Sequence, residues 1–156
     1  NLSIQYQDLS KIKSAFVASK TTLTTGRYYI KCGEKYLTNS KPNGKGGEPE
    51  FLAKNSDPDM LGAQQWDITL VSSTNRYKIA SATDQRYLNE ICALGTNPYN
   101  ENWNTYNFYK KNNLYAIQND GNGGTGFWLI DKNRFYTGAE SYDDSNYVVE
   151  FVPIKD

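Results

Sequence analysis

The stretch Gln64-Gln65-Trp66-Asp67-Ile68-Thr69-Leu70-Val71 turns at Ser72-Ser73-Thr74-Asn75, continues as Arg76-Tyr77-Lys78-Ile79 and resumes at Arg86-Tyr87-Leu88. Apolar and polar residues alternate within each piece, the period of a strand with one buried face. Turn formers separate the pieces. The same pattern recurs on both sides. Upstream, Gly26-Arg27-Tyr28-Tyr29-Ile30 with Lys35-Tyr36-Leu37 matches Asn75-Arg76-Tyr77-Lys78-Ile79 with Arg86-Tyr87-Leu88. Downstream, Asn113-Leu114-Tyr115-Ala116-Ile117 with Gly126-Phe127-Trp128 matches more loosely. Each unit closes on an aromatic two residues before an apolar residue: Trp66-Asp67-Ile68, Tyr106-Asn107-Phe108 and Tyr147-Val148-Val149. Roughly 30–40 residues separate the opening Tyr from the closing aromatic, room for about four short strands. Three such units predict an all-β fold with pseudo-threefold symmetry, a six-stranded barrel capped by three hairpins. Each unit gives its first and fourth strands to the barrel, because closure removes sheet edges, and internal repetition outweighs local propensity. The expected core holds Tyr28, Tyr77 and Tyr115, then Ile30, Ile79 and Ile117, with Leu37, Leu88 and Trp128 in the caps. Trp66, Ile68, Phe108, Val149 and Phe151 line it from the closing strands.

A chain of 156 residues reads as one domain with enough core to fold without staples. Seventeen basic and seventeen acidic residues cancel, so no global field draws in nucleic acid or an anionic membrane. No apolar run approaches the ~18 residues of a membrane span. With no initiator Met and no signal-type segment before Asn1, the sequence reads as a processed chain or a piece of something larger. Histidine is absent, which removes the commonest general base and the Ser-His and Cys-His pairs. Cys32 and Cys92 fall in different repeats and are expected to be buried, unbridged thiols.

Residues 1–25 stand apart. Leu9, Ile12 and Phe16 fall at helical spacing with Asp8 or Ser10 as a cap, which predicts a short helical lead-in or linker before the domain at 26–156. Asn55-Ser56-Asp57-Pro58-Asp59 is read as a turn, because Met60 stands where a calcium loop wants Gly. The Gly-rich run between Asn119 and Gly126 leads into the strand Phe127-Trp128-Leu129-Ile130 instead of a helix, so it is a hairpin loop and no phosphate cradle. No cofactor or metal is expected. Tyr supplies thirteen of the aromatics, and Tyr and Trp suit both half-buried strand faces and binding surfaces. Trp103, in a loop with Tyr99, Glu101, Asn102 and Asn104, either caps the core or presents a platform to a ligand.

Through the Gly26–Ile30 and Lys35–Leu37 segments, and through Gln64-Gln65-Trp66 as a Gln-x-Trp motif, the chain resembles the ricin-type β-trefoil lectin family over about residues 26–154. The resemblance implies a non-catalytic carbohydrate-binding module, often an accessory domain of a secreted or cell-surface protein, with an upstream domain of the same parent as a neighbour. Family sugar sites use an Asp after the second-strand apolar residue, an aromatic past the third strand and an Asn before the Gln of Gln-x-Trp. Here Thr38, Asn89 and Leu129 hold the Asp position, and Ala63 holds the Asn position of repeat one. Repeat two comes nearest the need of a sugar for flat aromatic area and fixed amides. The candidate sugar-binding residues are therefore Asn89, Tyr99, Asn102, Trp103 and Asn104, with Tyr136 near Tyr142, Asp143 and Asp144 in repeat three. The competing class is a protein-binding β-trefoil of protease-inhibitor or receptor-ligand type, since exposed Tyr and Trp are also hot-spot residues. A structural spacer and an enzyme follow; adjacent carboxylates such as Asp143 and Asp144 point to opposite faces of a strand and make a poor acid-base pair.

Overall fold

The barrel closes through six antiparallel strands, and their order follows from the alternation read above. The computed structural model describes residues 20–41, 47–55, 62–89, 92–95, 99–119, 126–131, 133–139 and 148–154. Among them are β1 (Gly26–Cys32), β2 (Lys35–Thr38), β3 (Glu50–Ala53), β4 (Trp66–Val71) and β5 (Arg76–Ser81). The one-turn helix α1 (Glu101–Asn104) follows, then β6 (Thr105–Lys111), β7 (Leu114–Gln118), β8 (Phe127–Asp131), β9 (Arg134–Ala139) and β10 (Val148–Pro153). β1 pairs with β4, β4 with β5, β5 with β6, β6 with β7, β7 with β10, and β10 returns to β1. The hairpins β2–β3 and β8–β9 sit off this ring as caps. The helix expected from Leu9, Ile12 and Phe16 lies outside the described residues; residues 20–25 form no helix, and Lys20 is bridged to Tyr109.

The interior is built in cross-strand pairs. Ile68 stands opposite Ile79, Phe108 opposite Ile117, and Phe151 opposite Ile30, so one layer takes one residue from each barrel strand. Next to it, Tyr28 stands opposite Trp66, Tyr77 opposite Tyr106, and Tyr115 opposite Val149. All fourteen residues expected in the core are buried. Tyr77 stacks on Phe108 at 4.2 Å, and Phe108 packs on Phe151 at 4.9 Å, so aromatic contacts run across the repeats. Phe51 and Phe135, from the third strands of repeats one and three, join the same core with their centroids 5.5 Å apart.

Two sequence expectations shift. The register makes Val149 the counterpart of Trp66 and Tyr106, and Phe151 the counterpart of Ile68 and Phe108, so repeat three closes two residues later than Tyr147 suggests. Repeat two also lacks a regular cap hairpin among the described residues; the bridges Ala80 to Tyr87 and Leu88 to Leu94 stand in its place. Cys92 has φ of 61°, which no strand accommodates, and Asn89 N donates to Ala93 O at 3.0 Å while Cys92 N donates to Asn89 O at 3.0 Å. The described residues of this stretch therefore form no third strand, although each unit has room for four. Neither cysteine forms a disulfide, as expected; Cys92 is buried, whereas Cys32, expected to be buried, is half-buried.

The amide of Gln64 locks the first repeat. Its Nε2 donates to Thr38 Oγ1 at 3.0 Å and to Ala53 O at 2.9 Å, while its Oε1 accepts from Asn55 N at 2.8 Å. Two residues on, Trp66 Nε1 donates to Leu37 O at 2.9 Å. A glutamine and an indole thus tie a barrel strand to its cap hairpin, and both sit inside because every polar atom named here has a partner. No helix among the described residues is long and apolar enough to cross a membrane.

Candidate functional site

Repeat two uses the same device with different residues. Asn104 lies two residues before Tyr106, as Gln64 lies two before Trp66. Asn104 Nδ2 donates to Leu88 O at 3.0 Å, its Oδ1 accepts from Asn100 N at 2.8 Å, and the Tyr106 hydroxyl donates to Asn89 O. Asn104 is 8% exposed and faces inward, so its amide fixes the loop and does not face a ligand. This corrects its assignment as a sugar-binding residue: both ends of the amide are consumed by backbone groups.

What this amide holds is the turn that carries Trp103. Asn100 caps α1 in extended conformation, its Oδ1 accepting from Asn102 N at 2.9 Å and Trp103 N at 3.3 Å. From across the repeat boundary, Asn119 Nδ2 donates to the carbonyls of Asn102 (3.1 Å), Trp103 (3.4 Å) and Thr105 (3.0 Å). Three asparagine side chains therefore fix a backbone too short to be stable as a helix by itself. Asn100 and Asn119 were missed in the sequence, where nothing distinguishes a capping Asn from a loop Asn.

On the outer side of this turn, Tyr99 and Trp103 are each 41% exposed, the exposed large hydrophobics among the described residues. Tyr99 leans on half-buried Tyr87 with centroids 5.3 Å apart, and Lys78 Nζ stands 5.0 Å from the Tyr99 centroid and 5.7 Å from that of Tyr87. Burial pushes the Tyr99 phenol up, and the Glu101 carboxylate and Tyr87 push it the same way, so it remains a neutral donor. Asn102 is exposed beside Trp103. Asn89 is half-buried, and its Oδ1 accepts from Ala93 N at 3.0 Å. Tyr87 and Asn89 flank inward-facing Leu88 and so share the outer face.

The remaining candidates separate from this surface. Tyr136 lies on β9 opposite Leu129, in the cap hairpin of repeat three. Tyr142, Asp143 and Asp144 lie outside the described residues. In repeat one the positions implied by the family pattern are filled by packing: Thr38 and Ala63 are buried, Thr38 Oγ1 donates to Tyr36 O at 2.9 Å, and Ala63 O accepts from Asn39 N at 2.8 Å. Since Asn104 corresponds to Gln64, the residue corresponding to Ala63 in repeat two is Trp103.

No protein-family model matches the chain, and no curated protein matches it in sequence. Solved structures do share its fold. A mosquitocidal holotoxin superposes with a TM-score of 0.72 at 15% identity, over 86% of this chain and 18% of the toxin. A Polyporus squamosus lectin, whose structure holds the human-type influenza-binding epitope Neu5Acα2-6Galβ1-4GlcNAc, gives 0.66 at 15% identity over 84% of this chain and 50% of the lectin. The BEL β-trefoil gives 0.57 at 16% identity over 86% of this chain and 97% of its own length. The chain thus spans half or less of the first two. The closed six-strand ring and these superpositions define the class: the chain is a β-trefoil, and its resemblance to the ricin-type trefoils holds at the level of the fold.

Proposed function

We propose that the protein is a non-catalytic, lectin-like module that holds a neutral glycan weakly on the outer face of repeat two, as an accessory domain of a secreted or cell-surface protein. The observation that carries this reading is the pairing of Tyr99 and Trp103, both exposed, with a backbone that three asparagines immobilise. A pyranose offers an apolar face of C–H groups, which an exposed indole covers at little entropic cost when the ring is already held. Asn102 and Asn89 supply amides for hydroxyl groups, and the Tyr87 and Tyr99 phenols supply donors. Amides in place of the family's Asp forgo the stronger charge-assisted hydrogen bond, so one site binds weakly and depends on avidity with further sites or domains. The glycan held by the Polyporus squamosus lectin, a protein of the same fold, supports a saccharide over a protein partner.

Trp103→Ala tests this directly. Retention on a glycan array or a polysaccharide affinity gel should fall to background, while the melting temperature moves by less than about 2 °C, because the indole is not in the core. Retention undiminished in the variant would remove the site. A large fall in melting temperature would make Trp103 a packing residue and return repeat two to the status of repeat one.

A further inference from the structure

Repeat one carries a second aromatic surface, distinct from that of repeat two and built on the same framework position. Tyr36 precedes inward-facing Leu37 as Tyr87 precedes Leu88. The Tyr29 ring meets Tyr36 edge-on at 83° with centroids 5.6 Å apart. Two ammonium groups converge on the pair. Lys31 Nζ stands 5.7 Å from the Tyr36 centroid, and Lys54 Nζ stands 5.9 Å from Tyr36 and 5.3 Å from Tyr29. The strands explain the gathering: Tyr29 and Lys31 project outward on either side of buried Ile30, Lys31 is the direct cross-strand neighbour of Tyr36, and Lys54 follows β3 immediately.

Like charges drawn to one phenol repel each other, and neither lysine has an ion pair among the described residues. Glu150 stands across from Lys31 in the β1–β10 register without bonding to it, and Lys54 is exposed. The hydroxyls of Tyr29 and Tyr36 likewise make no hydrogen bond among the described residues. We propose that this cluster is a second saccharide site and that it takes an acidic sugar. The carboxylate or sulfate sits between the Lys31 and Lys54 ammoniums, and the Tyr29 and Tyr36 hydroxyls meet the sugar's oxygens. The whole chain has no net charge, so attraction for such a ligand is local to this cluster. A nucleic-acid strand fits less well, since bases stack on open ring faces along a basic groove. Here the rings stand edge-on with their own lysines above them.

The test uses dextran sulfate and unsulfated dextran as paired probes, at about 0.15 M salt. The protein should bind the sulfated polymer and not its neutral parent. Lys31→Met with Lys54→Met should weaken that binding at least about fivefold, whereas Lys20→Met with Lys41→Met, which removes the same charge from other exposed positions, should leave it unchanged. Tyr36→Leu, with both lysines intact, should also weaken it. Should the Lys31 and Lys54 double variant melt early, Lys54→Gln alone decides, because that side chain is exposed and outside the strands. Equal losses in the two double variants, or no binding by the unmodified protein, would overturn the proposal; tighter binding of oligothymidylate through the same lysines would overturn the ligand class. Trp103→Ala should leave dextran sulfate binding intact, so failure here and failure of the repeat-two site are read separately.

Discussion

The caps of repeats one and two share a skeleton and differ in what they expose. In both, a buried amide two residues ahead of a buried aromatic ties the closing strand to the cap: Gln64 and Trp66 in the first, Asn104 and Tyr106 in the second. The residue before the amide is buried Ala63 in one and half-exposed Trp103 in the other. Barrel closure dictates the inward positions, because each must fill a layer shared with the other two repeats. The outward position next to them carries no such demand, and function is free to use it.

Removing the aromatics should break both skeletons alike. Trp66→Ala and Tyr106→Ala should each destabilise the fold by about 3–5 kcal/mol in chemical denaturation, since both side chains are fully buried and each also satisfies a cap carbonyl. A loss in one repeat several-fold smaller than in the other would mean that the two caps are not held by equivalent devices.

The amides should show the same equivalence on a smaller scale. Gln64→Ala and Asn104→Ala each strand buried backbone groups, at about 1–3 kcal/mol. They should part in function: Asn104→Ala loosens the turn under Trp103 and should weaken glycan retention beyond its effect on stability, whereas Gln64→Ala should not. Retention measured well below both melting transitions makes the comparison. Equal retention in the two variants would show that the Trp103 turn needs no such support.

Much of the skeleton was legible because it is written three times with period-two alternation. Every position assigned to the core on that basis is buried. The misreadings have physical causes. Tyr147 drew the third closing strand out of register because an aromatic was expected there, yet Val149 takes the place of Trp66 and Tyr106. Four strands were expected of repeat two as of the other units, and the left-handed backbone at Cys92, which interrupts its cap, is invisible in composition. Asn104 was assigned to the surface because an Asn among polar residues reads as exposed. Its spacing to Tyr106, matched to Gln64 and Trp66, was the signal that placed it inside. The Tyr29 and Tyr36 cluster went unnoticed because Lys54 reaches it from the far end of the β2–β3 hairpin.

The smallest expected effect is a dependence on pH at the β1–β4 ion pair of repeat one. Arg27 and Asp67 face each other across β1 and β4, with Nε to Oδ1 at 2.7 Å and Nη2 to Oδ2 at 3.1 Å, and Gln85 Nε2 donates to Oδ2 at 2.8 Å. The Arg27 hydrogen bonds hold the Asp67 carboxyl below its ordinary value, partial burial opposes them, and the Gln85 bond and the Arg27 charge add to the lowering. In repeat two Asn107, which follows Tyr106 as Asp67 follows Trp66, holds the corresponding position with an amide that does not titrate. Because the folded value is depressed, the stabilisation is present above the unfolded carboxyl value near about pH 4 and fades as pH falls through the lower, folded one. With Arg27 46% and Asp67 27% exposed, solvent screening limits the contribution to about 1 kcal/mol or less. Denaturant melts from about pH 6 down to about pH 2.5 should therefore show a shallower acid loss in Asp67→Asn than in the unmodified chain. Arg27→Met should flatten the curve in the same way, because the carboxyl then titrates near its unfolded value. If all three curves run parallel, the pair does not hold in solution and this difference between the repeats is one of sequence only.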